Sequence, residues 1–212
     1  MDTLEIIKAS KIIAISRGNY GSELINAAKA LYDGGVRAFE VTFEQGEHPN
    51  KTCEAVMQLV NTLPEDCAVG AGTVMNAEQA ELAANAGARF AISPNTDESV
   101  IRRTKELGLV SIPGAMTPTE IAFAYSCGAD IVKVFPAGVL GVEYFKALRA
   151  PLKHIPMAAV AGIDASNIKA FQTAGACAFG ISSSLFVKEA VASFDSERIR
   201  NAALRFYSAL DS

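Results

Sequence analysis

The amino-acid sequence predicts an α/β fold of the TIM-barrel class, a single (β/α)8 domain over residues 1–212 with a capping helix at its N-terminus. Three observations predict it: eight short apolar runs recur along the chain, amphipathic stretches separate them, and glycines close those stretches. The runs are rich in Val, Ile, Phe and Ala, the composition of parallel strands buried on both faces. Residues 2–9 read as the opening helix, set to cap the lower end of the barrel. Apolar runs at 11–17, 37–43, 67–74, 89–94, 108–113, 130–136, 155–162 and 176–185 supply the strands. Between them, SELINAAKALYDGG, NAEQAELAANAGA and ASNIKAFQTAGA have the spacing of amphipathic helices. Gly34-Gly35, Gly87, Gly108, Gly128 and Gly175 sit where helices should stop. A doubly wound open sheet is the second architecture this alternation allows. Eight units in 212 residues favour closure and leave little room for another domain.

Half of the residues are apolar, enough for a sizeable core, and the net charge of -4 is spread over interspersed signs. No basic run marks a nucleic-acid footprint. The opening MDTLEIIKASKII is acidic and too short in apolar residues to read as a signal peptide. No stretch reaches the roughly 18 apolar residues of a membrane span. The expectation is a soluble cytoplasmic protein whose partner is a small molecule. Cys53, Cys67, Cys127 and Cys177 form no CxxC pair and read as small buried hydrophobes, not as disulfide or zinc positions. His48 and His154 have no acidic or thiol partner at ligand spacing, so neither a metal nor another cofactor is expected.

In a barrel, alternate strand residues point inward and chemistry collects at the strand C-terminal ends. Lys133 lies in Asp130-Ile-Val-Lys-Val-Phe-Pro136 with apolar neighbours on both faces. Burial penalises its ammonium, and a neutral amine is the nucleophile that forms an imine with a ketone. The other reading is a structural lysine paired with a barrel carboxylate. Glu40, in Arg37-Ala-Phe-Glu-Val-Thr-Phe43, shares a strand face with Ala38 and Thr42, so a carboxylate also points inward. It can serve as the base that imine chemistry needs, or simply as an ion-pair partner of Lys133. Arg17 ends the first run, and its planar fork suits a carboxylate or phosphate, or a surface salt bridge. Thr73 closes Val69-Gly-Ala-Gly-Thr-Val74, which lacks the third glycine of a dinucleotide fingerprint. The turns after the last two runs, around Gly162 and Ser183, have the position at which barrels hold phosphate on backbone N–H groups.

Together KIIAISRG, GGVRAFEVTF, VGAGTV, FAISPN, SIPGAMTPTE, VKVFPAG and GISSSLF, in this order, resemble the 2-keto-3-deoxy-6-phosphogluconate/4-hydroxy-2-oxoglutarate (KDPG/KHG) aldolase family. The resemblance spans nearly the whole chain. It implies a class I aldolase with Lys133 as Schiff-base lysine and Glu40 as general acid/base. Arg17, Thr73, Pro94, Phe135 and Val160 would meet substrate, with Thr73 near the pyruvate carboxylate. Gly162 and Ser183 would hold phosphate. A homotrimer is also implied. Three positions depart from the gluconate-type pattern. A TLRT arginine is absent, the text being Thr42-Phe-Glu-Gln45, so its role falls to another group such as Arg17. PTGG is replaced by Ala159-Val-Ala-Gly162, closer to members acting on the C4-epimeric phosphogalactonate substrate, and Ala161 adds a methyl to the phosphate-side turn. Two other functions remain compatible with the residues: a phosphosugar isomerase or epimerase using Glu40, and a non-catalytic phosphometabolite-binding barrel.

Overall fold

The computed structural model describes residues 2–46 and 49–212, so His48 lies outside the described residues. The chain opens on helix α1 (Thr3–Ser10). Asp2 accepts from the Glu5 N–H and the Glu5 carboxylate accepts from the Asp2 N–H, a reciprocal cap that fixes where the helix begins. The barrel units then follow as β1 (Ile12–Ser16), α2 (Gly21–Asp33), β2 (Ala38–Thr42), α3 (Asn50–Thr62), β3 (Ala68–Gly72) and α4 (Ala77–Asn85). Next come β4 (Phe90–Ile92), α5 (Glu98–Glu106), β5 (Val110–Ile112), β6 (Gly114–Ala115) and α6 (Pro118–Ser126). β7 (Val132–Val134) leads into α7 (Ala137–Leu140) and α8 (Val142–Arg149), then β8 (Met157–Val160) and α9 (Ile168–Thr173). The chain finishes with β9 (Ala178–Ile181), α10 (Lys188–Ala192) and α11 (Ser196–Asp211).

All eight apolar runs hold strands, but the fifth is not continuous. Pro113 has no N–H to donate, and it divides one extended segment into β5, which pairs with β4, and β6, which pairs with β7. The sheet order is β5-β4-β3-β2-β1-β9-β8-β7-β6, every pair parallel. Its two ends are therefore halves of the same segment. Backbone bonds from Asp130 N to Ser111 O (3.0 Å) and from Lys133 N to Pro113 O (2.8 Å) draw the β7 segment onto both halves. This ring corrects the open doubly wound alternative. The last run was expected to stay extended to residue 185, yet β9 stops at Ile181. The chain there turns, with the Leu185 and Phe186 N–H groups both donating to Ser182 O.

Strand alternation sorts side chains into two layers. Ile13, Ala38, Ala68, Phe90, Ile112, Ile131 and Ala158 fill the barrel interior. Their neighbours Ile12, Phe39, Val69, Val132, Ala159 and Phe179 face outward, against Leu24, Leu31, Val56, Leu59, Ile101 and Phe171 of the helices. α1 contacts β1, β2, β3 and β9, and its Ile6 and Ile7 join the interior cluster. The helices end as the glycine positions imply. Gly175, for example, takes φ +101° after α9 while its N–H donates to Gln172 O, a conformation that costs a residue with a Cβ about 1 kcal/mol or more. All four cysteines are free, with Cys67 and Cys127 buried but Cys53 and Cys177 only half-buried. No helix among the described residues is long and apolar enough to cross a membrane.

Candidate active site

The inward phase of each strand, continued past its last residue, builds the site. Ile13 and Ile15 lead to Arg17, Ala38 leads to Glu40, Phe90 and Ile92 lead to Pro94, and Ile131 leads to Lys133 and Phe135. On the last strands Ala158 leads to Val160 and Gly162, and Ala178 to Gly180 and Ser182. One cavity of about 500 Å³ opens at the C-terminal ends of these strands. Arg17, Glu40, Thr73, Pro94, Lys133, Phe135, Val160, Gly162 and Ser183 all line it. The nine candidate site residues are brought to one place, although Thr73 and Ser183 lie one residue out of the inward phase.

Room for the two ionisable groups comes from small neighbours. Glu40 is registered between Ile15 and Gly70, and its carboxyl folds over Gly72, where any Cβ would collide with it. Lys133 is registered between Gly114 and Ala158. Its Nζ lies 4.9 Å from the centre of the Phe135 ring, within cation–π range. Glu40 and Lys133 are 2% and 7% exposed, so both side chains are removed from bulk water. Among the described residues no carboxylate oxygen approaches Lys133 Nζ within 4.0 Å, and Glu40 Oε2 has no hydrogen-bond partner. The simple buried ion pair is not formed.

Burial raises the Glu40 pKa from its ordinary 4.5 to about 7, against the opposing pull of the Lys133 and Arg17 charges. Burial also lowers the Lys133 pKa; the Glu40 carboxylate resists this and the Arg17 charge adds to it. Both groups are driven toward their neutral forms by the same cause, loss of solvation. Together they supply a nucleophilic amine and an acid able to exchange protons near neutral pH.

The remaining residues differ in accessibility. Val160 is buried, Thr73, Pro94 and Phe135 are half-buried, and Arg17, Gly162 and Ser183 are exposed at the mouth. Thr73 and Ala161 both take left-handed backbone, at φ +55° and +70°. The Gly162 and Ser183 N–H groups donate to no acceptor within the described chain, and both lie in turns rather than at helix starts. Gly138, in α7, and Gly162 meet backbone to backbone: a Cβ on Gly138 would come 2.6 Å from Gly162 O, and one on Gly162 would come 2.9 Å from Gly138 Cα. Where the arginine of a TLRT stretch would stand, Glu44 instead accepts from the Tyr20 hydroxyl at 3.2 Å. Arg17 lines the cavity and Glu44 does not. Ile15, Ile163, Asp164, Gly180, Ile181, Ser182 and Ser184 also line it without having been singled out. Strand alternation alone points to Ile15, two residues before Arg17, and to Gly180, two after Ala178.

The closed parallel barrel and the chemistry of its mouth define a barrel aldolase, a lyase. A family model described as KDPG and KHG aldolase matches residues 3–202, and the chain belongs to that family. A curated relative from Rhizobium meliloti, a probable 2-dehydro-3-deoxy-6-phosphogalactonate aldolase, is 35% identical over 200 residues, 94% of this chain and 92% of the relative. The solved native KDPGal structure is 31% identical, with a TM-score of 0.85 over 94% of each chain. The KDPG aldolase of Legionella pneumophila, solved with pyruvate captured as a covalent carbinolamine, is 25% identical, with a TM-score of 0.86 over 96% of this chain and 97% of that one.

Proposed function

We propose that this chain is a class I aldolase that cleaves a 2-keto-3-deoxy-6-phospho sugar acid to pyruvate and glyceraldehyde 3-phosphate through an imine on Lys133. The observation that carries the reading is the pair itself: a buried amine and a buried carboxyl line one cavity without neutralising each other. The pyruvate carbinolamine of the Legionella pneumophila relative supports it.

In the proposed cycle the neutral Lys133 amine attacks C2 of the keto acid, Glu40 in its acid form gives its proton to the carbinolamine hydroxyl, and water leaves to give a protonated imine. Glu40, as the carboxylate, takes the proton of the C4 hydroxyl. The C3–C4 bonding pair moves into the imine system to form an enamine, and the C4 fragment departs as the aldehyde. Protonation at C3 and hydrolysis of the imine then release pyruvate and restore the amine. Phe135 and Pro94 flank the imine, Arg17 and Thr73 contact the anionic substrate, and the Gly162 and Ser183 amides hold the phosphate. The Val160 side chain lines the cavity and has no hydroxyl to offer, which favours the phosphogalactonate epimer, as does the name of the Rhizobium meliloti relative. Cleavage of 4-hydroxy-2-oxoglutarate to pyruvate and glyoxylate belongs to the same proposal, as do a homotrimer and a cytoplasmic setting.

Borohydride reduction in the presence of pyruvate is expected to leave a reduced adduct on the tryptic peptide containing Lys133. Lys133→Ala should abolish it. An adduct that survives this substitution would move the nucleophile elsewhere and end the proposal. Epimer choice is checked by comparing cleavage rates on both phosphorylated epimers and on 4-hydroxy-2-oxoglutarate. Val160→Thr should shift the ratio toward the gluconate epimer by roughly tenfold, the worth of one hydrogen bond; an unchanged ratio discards Val160 as the reader of C4.

A further inference from the structure

We infer that Gln45 is a positioning residue: it holds Thr73 in the left-handed conformation in which Thr73 lines the cavity, and so sets the affinity for the keto-acid end of the substrate. The inference rests on the aldolase reading above.

Thr73 is β-branched, and φ +55° is among the least favourable conformations such a residue adopts. Among the described residues three other non-glycine residues have positive φ: Lys11, Ala161 and Phe194. In each of these the carbonyl oxygen is taken by a backbone N–H, from Phe179 (2.7 Å), Gly138 (2.8 Å) and Ser196 (2.9 Å) respectively. Thr73 differs. Among the described residues its carbonyl accepts only from a side chain, Gln45 Nε2 at 2.9 Å. Gln45 comes from the loop after β2, so the bond spans two neighbouring loops at the mouth.

Gln45 is itself aimed by a second amide. Gln79 Nε2 donates to Gln45 Oε1 at 3.3 Å, and Gln79 Oε1 accepts from the Met75 N–H at 2.7 Å. The Asn76 side chain, which caps α4, accepts from the Gln79 N–H. Between these points the Val74 N–H donates to Ile92 O at 3.1 Å. The Thr73 carbonyl, the Val74 amide and the Met75 amide are therefore held in succession, and only the first hold is made by the β2 loop. The carboxylate of a 2-keto acid is bonded directly to the carbon that Lys133 attacks. It must be met by polar groups of this same cavity, of which Thr73 is the one carried on strained backbone.

The discriminating substitution is Gln45→Glu in the full chain. It keeps the shape and the acceptor for Gln79 but has no N–H for the Thr73 carbonyl. The rate of borohydride trapping is measured against pyruvate concentration for the parent, for Gln45→Glu and for Gln45→Ala. Both variants are expected to need about fivefold more pyruvate for half-maximal trapping, a modest effect in keeping with a solvent-accessible hydrogen bond. The saturated rate should stay within about twofold and the melting temperature within about 2 °C of the parent. An unchanged half-saturation in either variant overturns the role of Gln45, because a shift in Gln45→Glu alone would be charge repulsion. A lower melting temperature with unchanged half-saturation also overturns it, leaving a purely structural loop contact. Absence of trapping in the parent is a different result: it defeats the aldolase reading and precedes any effect of Gln45.

Discussion

At the scale of single residues, the energetics turn on Glu40, a carboxyl 2% exposed with one oxygen unpartnered. Its pKa lies near 4.5 in the unfolded chain and about 7 in the fold, so the folded state binds the extra proton between those values. Its contribution to stability is complete below about pH 4.5 and is lost as pH rises through about 7. Lys133 runs the other way: its folded pKa is lowered, so its penalty on folding fades as pH rises toward 10.5. Glu40→Gln should raise stability to urea at pH 8 by about 2 kcal/mol, with a smaller gain at pH 5. Turnover should fall by roughly a hundredfold or more, as for loss of a general base. A variant less stable than the parent at pH 8 would show that ionised Glu40 is well accommodated. In the parent, kcat/KM should rise with pH along a limb centred near 7; a limb near 4.5 would reassign the base. Lys133 and Glu40 were legible because a charged residue amid strand-like apolar neighbours has few places to go. The left-handed backbone of Thr73 and Ala161 was not legible, since no residue type announces a conformation that its neighbours impose.

At the scale of elements, β3 shows how a strand makes space. Gly70 lies against the Phe90 ring, and Gly72 lies under the Glu40 carboxyl. Gly72→Ala forces the carboxyl aside or the strands apart and should cost about 1–3 kcal/mol by denaturant titration. Activity should fall with it, because the displaced group is the proposed base; full activity would mean that Glu40 moves without consequence. The sequence carried the strands through their apolar runs and the helix ends through their glycines. It did not carry the resumption of β6 after Pro113, because two residues, Gly114 and Ala115, are strand only by virtue of pairing with β7. Nor did it carry the end of β9, where Ser182–Ser184 leave the sheet although Leu185 and Phe186 keep the run apolar.

At the scale of the whole molecule, stability and chemistry occupy opposite ends of the strands. Ile7 is fully buried among interior residues at the end away from the cavity. Ile7→Ala should cost about 2–5 kcal/mol in unfolding free energy, while kcat at temperatures where the variant is folded stays within about twofold. A loss of kcat without loss of stability would show that the two ends are coupled. The contact between Gly138 and Gly162 bears on how such a barrel changes its diet. Two stretches of main chain are stacked there with no atom to spare, so a library of replacements at either position should return glycine alone. New specificity must instead be written at Val160 or in the serine turn after β9, where a side chain can be exchanged without prising the wall open.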